Sequence, residues 1–304
     1  MFRSRLRKPR LVFRARMIQA IRTFFIERDF LEVETPHLLP ALAPEFHIRP
    51  VRAENAFLQT SPELCMKRLL SAGYGNIFQM TRAFRKGERG KYHLPEFSLL
   101  EWYRIHVDYR ALMTDCEDLL RHLARCLELG DAVHYLDRAI DVSAPFDRLS
   151  VEAAFHRYSP VSLKKAMASG RFDDLLAQYV EPNLGRIRPT VLYDYPAPLA
   201  ALARLKAEDR DVAERFELYM GGIELANGFS ELNDPVEQQA RFQEEREKIT
   251  ATGKTPTPMP DKFLSALAHM PQAAGIALGL DRLAMVLSGA DKIDEVVAFT
   301  PEEV

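Results

Sequence analysis

The sequence predicts an α+β fold, and three observations carry that prediction. Residues 11–30 hold an apolar stripe of helical period. Residues 76–84 and 96–106 are strand-like runs joined by a polar, glycine-containing loop, and residues 275–288 form a glycine-interrupted apolar strand that turns into a helix at Asp281.

In the first element Met17, Ile18, Ile21, Phe24 and Phe25 repeat at helical spacing, with Arg14, Arg22 and Arg28 left for the other face. Ahead of it, Arg3, Arg5, Arg7, Lys8, Arg10, Arg14 and Arg16 crowd the first sixteen residues. Residues 1–10 therefore read as a basic, solvated tail, or as a docking surface for an acidic partner. Leu31-Glu32-Val33-Glu34 alternates as a short strand, stopped by Pro36.

Ser61-Pro62-Glu63 reads as a helix start, with proline in the first turn and a carboxylate near the positive helix end. The loop at 85–95 between the two strand-like runs is basic and suits a mobile hairpin connection. Residues 109–129 are helix-periodic, and 149–180 read as several short helices. Strand signals return at 190–193 and 213–232, followed by a charged helix at 235–250 and a Thr/Pro loop at 252–260.

Composition narrows the function. With 304 residues, 47% of them hydrophobic, the chain can build one large domain or two ordinary ones. No run approaches the roughly 20 apolar residues of a membrane span, and no apolar signal core follows the basic start, so the reading is cytoplasmic with no membrane partner. Cys65, Cys116 and Cys126 are odd in number and widely spaced, which speaks against a disulfide framework or a zinc site. A net charge of −2 argues against a protein that coats nucleic acid.

Singly, the polar signals are weak: Phe84-Arg85 suits any strand end and Gly279-Leu280-Asp281-Arg282 any strand-to-helix turn. Their order is specific. The long helix ending at Glu34-Thr35-Pro36, then Thr81-Arg82-Ala83-Phe84-Arg85 with His93-Leu94-Pro95-Glu96-Phe97, and finally Gly275 through Arg282 resemble motifs 1, 2 and 3 of the class II aminoacyl-tRNA synthetases. Ser61-Pro62-Glu63, Glu101-Trp102-Tyr103 and the run Gly222 through Leu232 are similar to the lysyl branch of that family. The resemblance covers nearly all of residues 11–299.

It implies an antiparallel sheet flanked by helices, a homodimer built on the 11–30 helix, and one catalytic domain at 11–304 with a helical insertion at about 109–185. The family's anticodon-binding barrel is expected to be absent, since about ten residues cannot make five strands. That points to the paralogues of lysyl-tRNA synthetase which attach lysine, preferably (R)-β-lysine, to a lysine side chain of elongation factor P, with tRNA not a partner. A compact tRNA-charging enzyme and a catalytically silent ATP-pocket regulator are the alternatives.

The implied cofactors are ATP and Mg2+, and the implied chemistry is an aminoacyl adenylate. Forming it brings negative groups together, so cations and placement carry the catalysis. By resemblance Arg85 grips the α-phosphate and substrate carboxylate, and Arg282 holds the γ-phosphate. Either arginine alone would serve as an ordinary ion-pair residue. The same resemblance puts Lys86, Gly87, Glu88, Leu94, Phe97, Glu224, Leu225 and Gly279 at ATP, with Phe97 against adenine. Ser61, Pro62, Glu63, Glu101, Tyr103, Asn227, Glu231 and Ala277 fall at the amino acid, where three carboxylates and a phenol suit a dibasic substrate.

Glu224 and Glu231 are the implied Mg2+ ligands. Seven residues apart, they would point to opposite faces of a regular strand unless a bulge at Asn227-Gly228 intervenes. Three positions depart from the lysyl pattern. Ala277 replaces a glycine and would disfavour α-lysine; Lys86-Gly87 replaces Asn-Glu, with Glu88 taking the acidic role; and Leu94 replaces an asparagine.

Overall fold

The computed structural model describes residues 3–304. Helix α1 (Arg3–Ile26) leads into strand β1 (Leu31–Glu32), and β2 (Leu38–Leu39), β3 (Val51–Ala53) and β4 (Ala56–Leu58) make a small separate sheet. Helix α2 (Glu63–Ser71) precedes the long hairpin of β5 (Ile77–Phe84) and β6 (Glu96–Ile105). Helix α3 (Tyr109–Cys126), a hairpin of β7 (Ala132–Tyr135) and β8 (Arg138–Asp141), and strand β9 (Asp147–Ser150) come next. Short helices α4 (Val151–Tyr158), α5 (Leu163–Ala168) and α6 (Phe172–Leu175) lead to β10 (Thr190–Pro196), β11 (Val212–Met220) and β12 (Ile223–Ser230). The chain ends through α7 (Pro235–Ala251), α8 (Asp261–Leu267), β13 (Ala273–Gly279) and α9 (Leu280–Leu287).

Eight strands form the main sheet in the order β1-β5-β6-β13-β12-β11-β10-β9. All neighbours are antiparallel except the two edge pairs, β1 with β5 and β9 with β10. The sheet with flanking helices agrees with the α+β expectation. Among the described residues no helix is long and apolar enough to cross a membrane.

Helix α1 buries Met17, Ile21, Phe24 and Phe25 against the sheet and α3, and Phe25 stacks on Phe78 at 4.8 Å. It starts earlier than the apolar stripe suggested. Residues 3–10 are its first turns rather than a free tail, because Arg7 pairs with Glu303 at 2.6 Å and Arg10 with Glu295 at 2.5 Å. The expectations for Met1, Phe2 and the side chains of Arg3 and Arg5 fall outside the described residues.

The middle segment is not a purely helical insertion. Helix α3, capped by Asp108, sends Leu112, Cys116, Leu119 and Leu123 into the principal core. Strand β9 extends the main sheet. Only α4 to α6 and the turns up to Leu184 gather a small core of their own, packed on Leu192, Tyr195 and Tyr219 at one end of the sheet.

The bulge needed on β12 exists, but earlier than Asn227-Gly228. Tyr219 pairs with Glu224 while Leu218 pairs with Ala226, so Leu225 is the extra residue. Leu225 and Ala226, adjacent in sequence, both enter the core. The added residue makes the Glu224-to-Glu231 separation effectively even and turns Glu224 to the same side as Asn227.

Candidate active site

Directly paired residues on neighbouring strands share a face, so the register itself lays out the site. One row runs Gln79, Glu101, Ala277, Asn227, Glu217 across β5, β6, β13, β12 and β11. The next runs Ile77, Tyr103, Gly275, Phe229, Arg215.

A cleft of about 240 Å3 opens over the sheet. Arg85, Glu88, Leu94 and Phe97 line it from the hairpin loop and β6, and Glu224, Leu225, Asn227, Ala277, Gly279 and Arg282 from β12, β13 and α9. Lys86 and Gly87 turn away: the Lys86 backbone N–H donates to Arg49 at 2.7 Å, and Gly87, at φ 81°, lies against the Arg49 guanidinium.

The two arginines differ in how they are held. Arg282 donates to the Glu224 carbonyl at 2.8 Å, to Glu224 Oε2 at 3.2 Å, to the Tyr92 carbonyl at 3.3 Å and to His93 Nε2 at 2.6 Å. Burial and the neighbouring Arg282 hold the His93 ring below its ordinary pKa, which favours the neutral acceptor form. Asp281 beside it pairs with Arg14 of α1 and accepts from the Ser98 N–H at 2.7 Å, fixing the start of α9. Arg85 is poised with few partners. Its guanidinium lies 5.1 Å over the Phe97 ring, Glu88 is 4.0 Å away, and its buried Nε has no hydrogen-bond partner among the described residues.

Behind Ala277 lies a second, closed group. Glu101, 1% exposed, accepts from Ser61 Oγ at 2.6 Å and from the Tyr103 hydroxyl at 3.0 Å. Pro62 starts α2, which carries Glu63 and, one turn on, Lys67. The Lys67 ammonium sits 2.5 Å from Glu63 Oε1 and 2.5 Å from Glu231 Oε2. Glu231 Oε1, also buried, has no hydrogen-bond partner among the described residues, and Oε2 has only the ion-pair contact with Lys67. Burial, reinforced by the charge of Glu63, pushes Glu101 and Glu231 up to about 8. The same burial raises the Tyr103 phenol. For Lys67, desolvation opposes the charge, but Glu231 and Glu63 outweigh it and its pKa is raised.

Three residues here were not singled out from the sequence. Lys67 had a readable signal in its i,i+4 spacing from Glu63. Gly275 had none beyond being glycine: a Cβ there would stand 2.3 Å from both Glu231 Oε1 and the Tyr103 ring. Glu217, between Phe216 and Leu218 on β11, is buried and accepts from Tyr195 and Tyr219 at 2.6 Å and from Arg215 at 2.7 Å. Its pKa is raised by burial and by the nearby charge of Glu224.

Of the expected metal pair, Glu224 lines the cleft, whereas Glu231 lies past the end of β12 against Lys67 and is not among the cleft's lining residues. No cluster of three His, Cys, Asp or Glu side chains is present among the described residues. Mg2+ usually needs no such cage, taking one or two carboxylates plus substrate phosphates, and Glu224 in the cleft offers one.

Comparison with known proteins places this geometry. A family model described as "tRNA synthetases class II (D, K and N)" matches residues 1–303. A protein of Salmonella arizonae named "Elongation factor P--(R)-beta-lysine ligase" is 41% identical over 96% of this chain and 95% of its own length. Proteins of the same name from Salmonella gallinarum and Salmonella dublin are 41% and 40% identical over the same shares.

Proposed function

This chain belongs to the class II tRNA synthetase family of the D, K and N branch, and from that membership we propose that it is the ligase that joins (R)-β-lysine to a lysine side chain of elongation factor P. The observation that carries the reading is that Arg85, whose buried Nε has no hydrogen-bond partner among the described residues, lines the cleft, while the carboxyls of Glu231, Glu101 and Glu63 gather in the closed group. A cation at one end and carboxyls at the other suit a ligand with oppositely charged ends. An amino acid with a second ammonium far from its carboxylate supplies both.

In the first half-reaction the substrate carboxylate attacks the α-phosphorus of ATP, and the bond to the β-phosphate breaks as pyrophosphate leaves. Arg85 receives the carboxylate and α-phosphate, Arg282 the terminal phosphate, and Phe97 the purine. Arg282 is preorganised by Glu224, Tyr92 and His93, so little rearrangement is needed as charge shifts. Glu224 would hold Mg2+, which neutralises phosphate charge when bound. The substrate ammonium lies among Glu231, Glu101, Glu63 and Tyr103. In the second half-reaction the acceptor amine attacks the adenylate carbonyl and AMP leaves. A homodimer through α1 is supported by the exposed Val12, Ile26 and Leu31 along α1 and β1.

Incubation with ATP, (R)-β-lysine and elongation factor P should add one lysyl mass to that protein. Label appearing instead on bulk tRNA, or no mass change, would overturn the reading.

A further inference from the structure

A second recess adjoins the cleft. It is walled by the segment around Leu42, Pro44 and Phe46 and by the loop carrying Pro256 and Thr257, and Glu45 and Ile48 line both the recess and the cleft. The wall is built, not frayed. The Phe46 N–H donates to Glu245 of α7 at 2.8 Å, Arg246 holds the Thr257 carbonyl, and the Lys86 N–H reaches the Arg49 carbonyl at 2.7 Å. Arg49 and Lys254 stand exposed among its lining residues.

The second half-reaction sets a problem that the known parts of the site leave open. The acceptor lysine arrives as an ammonium, since its ordinary pKa is about 10.4, and only the neutral amine attacks. The carboxylates of the closed group are committed to the substrate's own ammonium. Resting on the ligase reading above, we propose that the acceptor lysine side chain enters through this recess and that Glu45, at its junction with the cleft, takes a proton from the acceptor ammonium, freeing the nitrogen lone pair for attack. The apolar walls suit the lysine methylenes, and the positive rim suits an acidic acceptor surface.

The step balances. The acceptor N–H bond breaks with its proton passing to a Glu45 oxygen, the N–C bond forms at the adenylate carbonyl, and the C–O bond to phosphate breaks as AMP departs with that electron pair. The nitrogen's remaining surplus proton leaves to solvent. The charged groups facing Glu45 are Arg85, which favours its ionised form, and Glu63, Glu245 and Glu88, which oppose it. Burial outweighs the arginine and puts the carboxyl at about 7, suited to accepting a proton around neutral pH.

The test is single-turnover discharge of the enzyme-bound adenylate in wild type, Glu45→Gln and Glu45→Asp, to two nucleophiles. Elongation factor P needs a proton removed; hydroxylamine is already neutral around neutral pH. Glu45→Gln should slow transfer to the protein by about a hundredfold or more, lose the rise in rate expected of wild type through about pH 7, and discharge to hydroxylamine within about threefold of wild type. Glu45→Asp should recover part of the protein transfer. Equal loss with both nucleophiles would mean that Glu45 only places the adenylate, and undiminished transfer to protein would mean that it has no role; either overturns the proposal. If wild type yields no adenylate even to hydroxylamine, the ligase reading fails first and takes this one with it.

Discussion

Lys67 and Glu231 form an ion pair with 2.5 Å between Nζ and Oε2, and their side chains are 1% and 0% exposed. The pair draws the Oε2 side of Glu231 toward Lys67, while Oε1 has no hydrogen-bond partner among the described residues, so in the ligase reading the protein's own ammonium orients the carboxyl that would meet the substrate's ammonium. Without Lys67 the buried Glu231 carboxyl loses the cation that favours its ionised form and is left protonated and poorly paired. Lys67→Met should therefore cost about 1–3 kcal/mol in urea-induced unfolding, the cost of an unsatisfied buried polar group. A loss below about 1 kcal/mol would show that the pair is not buried as described.

Arg85 and Arg282 should separate in stability although both are needed for turnover. Either change to alanine should lower pyrophosphate exchange by about two to three orders of magnitude. Arg85→Ala should leave the melting temperature unchanged, since its side chain makes no hydrogen bond within the chain among those described. Arg282→Ala removes four hydrogen bonds and should lower it measurably. Equal effects on melting would contradict the difference in how they are held.

The position of Ala277, in line with Glu101 and Asn227 across the sheet, puts its methyl on the floor between the cleft and the ammonium group. Ala277→Gly should shift the kcat/KM ratio toward α-lysine over β-lysine, by about tenfold for one methyl group. An unchanged ratio would remove Ala277 from substrate selection.

Protons should leave on substrate binding. Glu101 and Glu231 have folded pKa values near 8, above the ordinary carboxyl range, so the stability tied to their neutral forms is full below about pH 4.3 and is lost as pH rises through about 8. A bound ammonium favours the ionised forms and reverses that loss. Titration calorimetry at neutral pH in buffers of different ionisation heat should register proton release with lysine or β-lysine. Zero release, or uptake, would contradict the assignment of these carboxyls.

Part of the candidate site's arrangement is legible in local sequence, and what is not follows a physical pattern. Arg85, Arg282, Phe97 and Glu224 belong to local runs whose order carries the information, and they do meet in one cleft. What needed three dimensions was cross-strand register. Gly275 matters because Tyr103 is its neighbour on β6 and Glu231 reaches over it, and neither relation is local in sequence. The bulge at Leu225 could be required by parity but not located, because Leu225 and Ala226 look alike as apolar residues. Strand β9 was hidden by its edge position, where pairing to β10 and not side-chain alternation makes it a strand. The basic start reads as a solvated tail or a docking surface because the acidic partners of Arg10 and Arg7, Glu295 and Glu303, lie at the other end of the chain.

The central claim is that one diamino acid bridges Arg85 and Glu231 and is activated there. Amino-acid-dependent pyrophosphate exchange with (R)-β-lysine, lysine and norleucine, which lacks the terminal amine, tests it most directly. The account predicts exchange with β-lysine above lysine, and with norleucine lower by about four orders of magnitude, because a buried carboxylate would be left without its partner. Exchange with norleucine equal to that with lysine, or none with any of the three, would contradict it.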